Sequence, residues 1–186
     1  MAAAGAKDRQ RISALEQEAR ENPDSAEAQL RLGTALLHAG AISRAETALR
    51  RAVELDESSD AALINLGGVL LAKWDFAGCL EVNRKVTERS PELLQAHYNL
   101  GLGHLYLKQA EEMVACFRRV VEIDPDHAGG QYHLAVGLLE IGEVEQAREA
   151  LDRAVSLGHS PAPEFLKALE KHERPHKGRS GESATE

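Results

Sequence analysis

The stretch Leu94–His127, LQAHYNLGLGHLYLKQAEEMVACFRRVVEIDPDH, decides the fold. It holds two amphipathic helical patterns, joined by a short polar break and closed by Asp124-Pro125-Asp126. The same unit recurs before and after it in one register. Aligned on a Leu-Gly pair, the copies place Leu32-Gly33, Leu66-Gly67, Leu100-Gly101 and Leu134-Ala135 at a constant step of 34 residues. The copies are 26–59, 60–93, 94–127 and 128–161. One helical hairpin cannot bury its own apolar face, so such copies must stack to complete a core. Gly or Ala after the Leu lets two antiparallel helices approach closely. The Leu fills their seam, and burying it contributes about 1.5–3 kcal/mol.

Composition agrees with an all-α chain. Of the 186 residues 43% are hydrophobic but only 4% aromatic, and Leu, Ala, Glu and Arg, all good helix formers, dominate. A net charge of −8 without any basic block argues against a general affinity for nucleic acid, which needs clustered Lys and Arg. No apolar run reaches the roughly 18 residues of a membrane span, and the N-terminus lacks the apolar core of a signal peptide. Cys79 and Cys116 lack CxxC spacing, which argues against a disulfide framework or zinc site and fits a reducing compartment. The expected location is cytoplasmic.

Outside the copies, residues 1–25 are expected to form an N-terminal helix with Ile12, Leu15 and Ala19 on one face, stopped at Asn22-Pro23-Asp24. Asp24 is then expected to N-cap the next helix, with Glu27 completing a capping box. Ser90-Pro91 is expected to act in the same way, as N-cap and first helical residue. A capping helix is expected at 162–172, covering the last copy with Phe165, Leu166 and Leu169. The polar tail 173–186 is expected to be disordered.

The pattern closely resembles the tetratricopeptide repeat (TPR) family, over about three-quarters of the chain. Repeat position 7 is Leu in every copy, position 20 reads Ala45, Cys79, Met113, Ala147, and position 27 reads Ala52, Val86, Val120, Ala154. Position 24, a large apolar site in the family, reads Leu49, Asn83, Phe117, Leu151, and Pro91 and Pro125 stand at position 32. The departures are Asn83, together with Gln29, His97 and Gln131 at position 4, where the family often has Trp. The resemblance implies an all-α solenoid of four helix-pair repeats that binds other proteins.

No GxxxxGK[ST], HExxH or GxSxG motif is present, so neither catalysis nor a cofactor is expected. His97 and His104 share a helix face and with Cys79 or Cys116 offer a metal reading, but they occupy packing positions, and core histidines are expected. Asn83 is expected to be buried and hydrogen-bonded to one of them. Trp74, at the turn position held elsewhere by Gly40 and Gly142, is expected to pack over its own hairpin; the alternative is an anchor for a partner.

By the resemblance, positions 5, 6, 9 and 13 face a concave groove. Arg31, Asn65, Tyr98, Asn99, Leu102, Tyr106, Tyr132 and His133 are the expected peptide-binding residues. The clamp for charged chaperone tails found in some relatives requires Lys and Asn where this chain has Leu30 and Thr34, so it is absent. Asn65 and Asn99 are similar instead to an asparagine ladder that holds peptide backbone. The expected function is a non-catalytic adaptor binding an extended or helical segment of another protein, with no nucleic acid or membrane partner. The alternative is a scaffold that self-associates, as a homo-oligomer, or binds through its convex face.

Overall fold

The computed structural model describes residues 2–173, with side chains described for 8–172. Of the tail expected at 173–186, only the backbone of Glu173 is included; the rest lies outside the described residues. Among the described residues there are ten α-helices and no strands: α1 (Ala2–Glu21), α2 (Ala26–His38), α3 (Ile42–Leu55), α4 (Asp60–Ala72), α5 (Phe76–Arg89), α6 (Leu94–Tyr106), α7 (Ala110–Ile123), α8 (Ala128–Glu140), α9 (Val144–Ser156) and α10 (Pro163–Glu173). The first helices of the pairs, α2, α4, α6 and α8, begin 34 residues apart. No described helix is long and apolar enough to cross a membrane.

Each pair is locked at one close approach. A Cβ placed on Gly33 would lie 2.6 Å from Leu49 Cγ, on Gly67 2.0 Å from Asn83 Nδ2, and on Gly101 2.7 Å from the Phe117 ring. The glycines are therefore needed for volume. In the last pair Ala135 and Leu151 hold the equivalent positions, both buried in one cluster.

Turn chemistry ends each helix. Within the pairs, Gly40, Trp74, Lys108 and Gly142 all take positive φ, between 57° and 83°. The next residue sends its N–H back to the helix, as in Asp75 N to Leu70 O at 2.9 Å and Gln109 N to His104 O at 3.0 Å. Trp74 and Lys108 hold this left-handed conformation at a cost of about 1–2 kcal/mol that glycine avoids.

Between pairs, an i→i+3 turn closes at Ser25–Asn22, Ser59–Asp56, Leu93–Ser90 and His127–Asp124, with N···O distances of 3.1–3.2 Å. Pro23, Pro91 and Pro125 stand at the second turn position, which a fixed φ favours. This corrects two expectations. The cap of α2 is Ser25, whose hydroxyl accepts from Ala28 N at 3.2 Å, while Asp24 pairs with Arg51 at 2.8 Å. Ser90-Pro91 likewise belongs to the turn; α6 starts at Leu94, and Ser90 Oγ donates to Asp60 Oδ2 at 2.6 Å. Ser59 Oγ and His127 Nδ1 cap α4 and α8.

Among first helices, α2 touches α4 and α4 touches α6, whereas no two second helices approach comparably. The row α2–α4–α6 therefore lies on the inner side of the curve, and α8 follows it through the contact of His133 with Tyr98 of α6. On the outer side, Arg51–Asp24, Arg119–Glu92 (2.5 Å) and Arg153–Asp126 repeat one inter-pair ion pair at a 27-residue separation. Each contributes less than about 1 kcal/mol at the surface. At the C-terminal end Leu169 is fully buried beside half-buried Phe165 and Leu166.

If the Gly101–Phe117 approach is a volume constraint, Gly101→Ala should cost about 1–3 kcal/mol. Adding Phe117→Leu, which reproduces the Ala135–Leu151 pair, should recover a good part of it. Urea denaturation of the two single variants and the double variant checks the coupling; additive losses would sink the constraint.

Candidate functional site: the inner face of the first helices

Charge is sharply divided between the two rows of helices. The second helices α3, α5, α7 and α9 each carry five Asp, Glu, Lys or Arg residues. In α4, α6 and α8 the only ones are Asp60 at the start and Glu140 at the end. The inner wall is built from Ile64, Leu71, Tyr98, Leu102, Leu105, Tyr132 and Val136, each half-buried. Toward α2 it becomes polar. Arg31, exposed, pairs with Glu18 of α1 at 2.7 Å beside a recess of about 300 Å³ lined by Leu15, Leu30 and Thr34.

The two asparagines link the first helices to one another. Asn65 Nδ2 donates to Thr34 Oγ1 on α2 at 2.8 Å. Asn99, 4% exposed, donates to Ile64 O on α4 at 3.1 Å and to Asn83 Oδ1 at 3.2 Å, and accepts from Gln95 at 3.1 Å. Asn83 is fully buried, and its amide donates to Cys79 O at 2.9 Å. The expected Asn83–His bond is thus replaced by Asn83–Asn99, because position 24 faces the following first helix at the height of Asn99. His97 instead meets Pro91 O at 2.9 Å and stays half-buried, while buried His104 meets Gln109 Oε1 at 2.8 Å. No group of three potential metal ligands occurs among the described residues. Burial raises both thiols, to about 12 at Cys79 and about 11 at Cys116, so neither is a ready thiolate.

The expected aromatic residues divide into two clusters. Tyr106, 53% exposed, stacks on Phe76 at 4.7 Å and lies 5.8 Å from Trp74, which is 73% exposed. Trp74 also lies 5.9 Å from Phe76 of its own hairpin, so it spans the rim between its own pair and the next; Phe76 and Trp74 were absent from the expected site because one opens α5 and the other sits in the turn before it, outside the first helices. Tyr98 and Tyr132 flank His133, at 5.9 and 5.5 Å, in a cluster that also includes Phe117, His127, His159 and Phe165. The His133 ring stacks on Phe117 at 5.0 Å, and its Nδ1 is buried with no partner among the described residues. Burial, reinforced by His159 and His127, lowers its pKa from 6.5 to about 4.

Tetratricopeptide repeat models match residues 12–62 and 94–127. The chain carries tetratricopeptide repeats. Proteins of this family generally mediate protein–protein interaction or scaffolding. Among solved structures, the chain is similar to a MamA segment, residue 41 to the end, from Desulfovibrio magneticus RS-1, at 25% identity and TM-score 0.72 over 78% of this chain and 82% of that one. YrrB, described as a TPR protein with an unusual peptide-binding site, matches at 19% identity and TM-score 0.70 over 91% and 85%. TTC0263, a thermophilic TPR protein of Thermus thermophilus, matches at 21% identity and TM-score 0.64 over 80% and 81%. The two below 25% identity speak to the fold alone. No curated protein matches the chain significantly.

Two outcomes follow from this wall. Asn99→Ala removes the partner of two buried groups and should cost about 1–3 kcal/mol, read as a lower urea midpoint; an unchanged midpoint would refute the inter-helix role. For His133 the folded pKa lies below the unfolded value, so the unfolded chain takes up a proton first as pH falls. Stability should decline from about pH 6.5 to pH 4, by on the order of 3 kcal/mol at most, and this group contributes no further loss below that. Melting temperatures across that range should fall less steeply in His133→Phe than in the wild-type chain.

Proposed function

We propose that the chain is a non-catalytic interaction module holding a segment of another protein on the inner face of α4, α6 and α8. In this reading it comprises four repeats, 26–59, 60–93, 94–127 and 128–161, closed by helices at 1–25 and 162–172. The observation that carries it is the division of charge. Three successive helices turn charge-free, half-exposed faces to the same side, while every second helix opposite is richly charged. A wall of that kind loses little when water leaves it, and apolar area is what a partner segment can bury.

The expected residues take different parts. Leu102, Tyr106, Tyr132 and the edge of Tyr98 supply contact area, with a hydroxyl handle on each tyrosine. Arg31 and Asn65 supply a polar end. Asn99 and His133 act from behind the wall, holding α6 on α4 and backing Tyr98 and Tyr132. The description of YrrB as peptide-binding supports the reading by analogy of fold.

Photo-crosslinking separates this from self-association. With benzoylphenylalanine at Leu102, a partner adduct is expected that disappears when Leu71→Asp is added; at Glu81, on the charged outer row, no adduct is expected. Adducts between two copies of the chain from Glu81, and none from Leu102, would establish the scaffold reading in its place.

A further inference from the structure

The outward stripe of α4 runs Ala61, Ile64, Asn65, Gly68, Leu71 and Ala72 at helical spacing, half-exposed or exposed along its length. A helix bordering water normally puts charge on its wet side, and one that is apolar all round is normally covered. No described element covers this stripe. The C-terminal segment 174–186 contains no Leu, Ile, Val, Met, Phe, Tyr or Trp, the residue types an apolar cover calls for.

Gly68 is the second observation. The glycines beside it in register, Gly33, Gly67 and Gly101, each face a side chain within 3 Å of where a Cβ would stand. At Gly68 a Cβ would meet only Leu37 Cδ2, at 4.0 Å. Glycine inside a helix costs about 1 kcal/mol relative to alanine, and nothing in the described fold requires it here. It leaves a dent in the middle of an uncharged wall, the form that close approach of a ligand calls for.

The wall's polar groups decide what kind of ligand. An extended peptide brings a backbone N–H and C=O at every residue, and each one buried without a partner costs about 1–3 kcal/mol. Of the two asparagines that would serve it, Asn99 at the centre of the wall is spent on Ile64 O, Asn83 and Gln95, and only Asn65, at the polar end, keeps its Oδ1 and one N–H beyond its bond to Thr34. A helix satisfies its own backbone and needs only apolar area. A charge on its buried side would be desolvated with no counter-charge between Asp60 and Glu140 on α4, α6 and α8. We infer that the groove's occupant is an amphipathic helix of a partner protein, its buried face uncharged, with one large side chain seated over Gly68. With neighbouring helices 8–10 Å apart, α4 to α8 spans about 20 Å, or roughly 13 residues of such a helix. The inference rests on the inner-face reading above.

The test uses the full chain and fluorescence anisotropy with three labelled peptides of about 15 residues. One is a lactam-bridged helix with Leu and Ala on one side and Gln and Lys on the other. The second has the same composition interrupted by prolines, and the third carries two Glu on the apolar side. The bridged helix should bind, and the other two at least about tenfold more weakly. Gly68→Leu should weaken the bridged helix by about tenfold with unchanged circular dichroism. Gly68→Ala, expected to melt higher than the parent, should show a smaller loss and serves if the Leu variant does not fold. Equal or tighter binding of the proline peptide overturns the helical occupant and leaves the inner-face reading standing. Equal binding of the Glu peptide overturns the uncharged face, and unchanged affinity in both Gly68 variants overturns the seat. If none of the three peptides binds, the inner-face reading falls along with the inference.

Discussion

The structure depends on how closely two helices of a pair approach at one point. Where Gly33, Gly67 and Gly101 face Leu49, Asn83 and Phe117, no added carbon fits without a shift, so the small residue and the large one are one unit divided between two helices. Everything else inherits that approach. The pair becomes thin enough to stack, the next first helix packs in the seam, and the first helices α2, α4 and α6 come into contact while no two second helices approach comparably. Asn83 shows how far the rule stretches. A polar residue occupies the apolar site because Cys79 O and the Asn99 amide satisfy both ends of its side chain, without which its burial would be costly.

The curvature then separates two surfaces of different chemistry. The outer row, fully charged, is laced by ion pairs at a constant separation. Across α4, α6 and α8 the inner row carries charge only at its two extremes, Asp60 and Glu140. The ends differ from the middle. On α1, Arg11 and Glu18 stand in register with the buried Ala, Cys, Met and Val residues of the later second helices, and on α10 Leu169 stands where the first helices have Gly or Ala. Neither end offers the small-residue seat found inside the pairs.

Strain and burial cluster around the inner face. Trp74 keeps a left-handed backbone while leaving most of its ring in water against Phe76 and Tyr106, a combination that stability alone does not favour. His133 stays neutral behind Tyr98 and Tyr132 because the site is dry, and this ties the order of the last pair to pH. Gly68 belongs with them, as a local cost without a packing reason.

Most of the fold was legible in the sequence because a repeat reports its geometry several times over. Leu at position 7, small residues at 8, 20 and 27, and a constant step specify helix pairs that must stack, and those are local, periodic constraints. The tail 173–186 and the location of the protein were read from composition alone and stay outside what the structure describes. The caps were misplaced by one and three residues, since Pro at position 32 suits a turn as well as a helix start, and only the closing Leu93–Ser90 bond tells them apart. The candidate site was half legible. Its residues could be placed on one face, but not what each side chain touches. Asn99 looks the same in sequence whether it awaits a peptide or bonds Ile64 O and Asn83, and His133 looks the same wet or dry. The sequence by itself determined the helix-pair unit, its register and the face each residue would share. Only the tertiary structure decided which polar groups were already satisfied and which glycine had no neighbour, because those depend on atoms brought within a few ångströms from different copies.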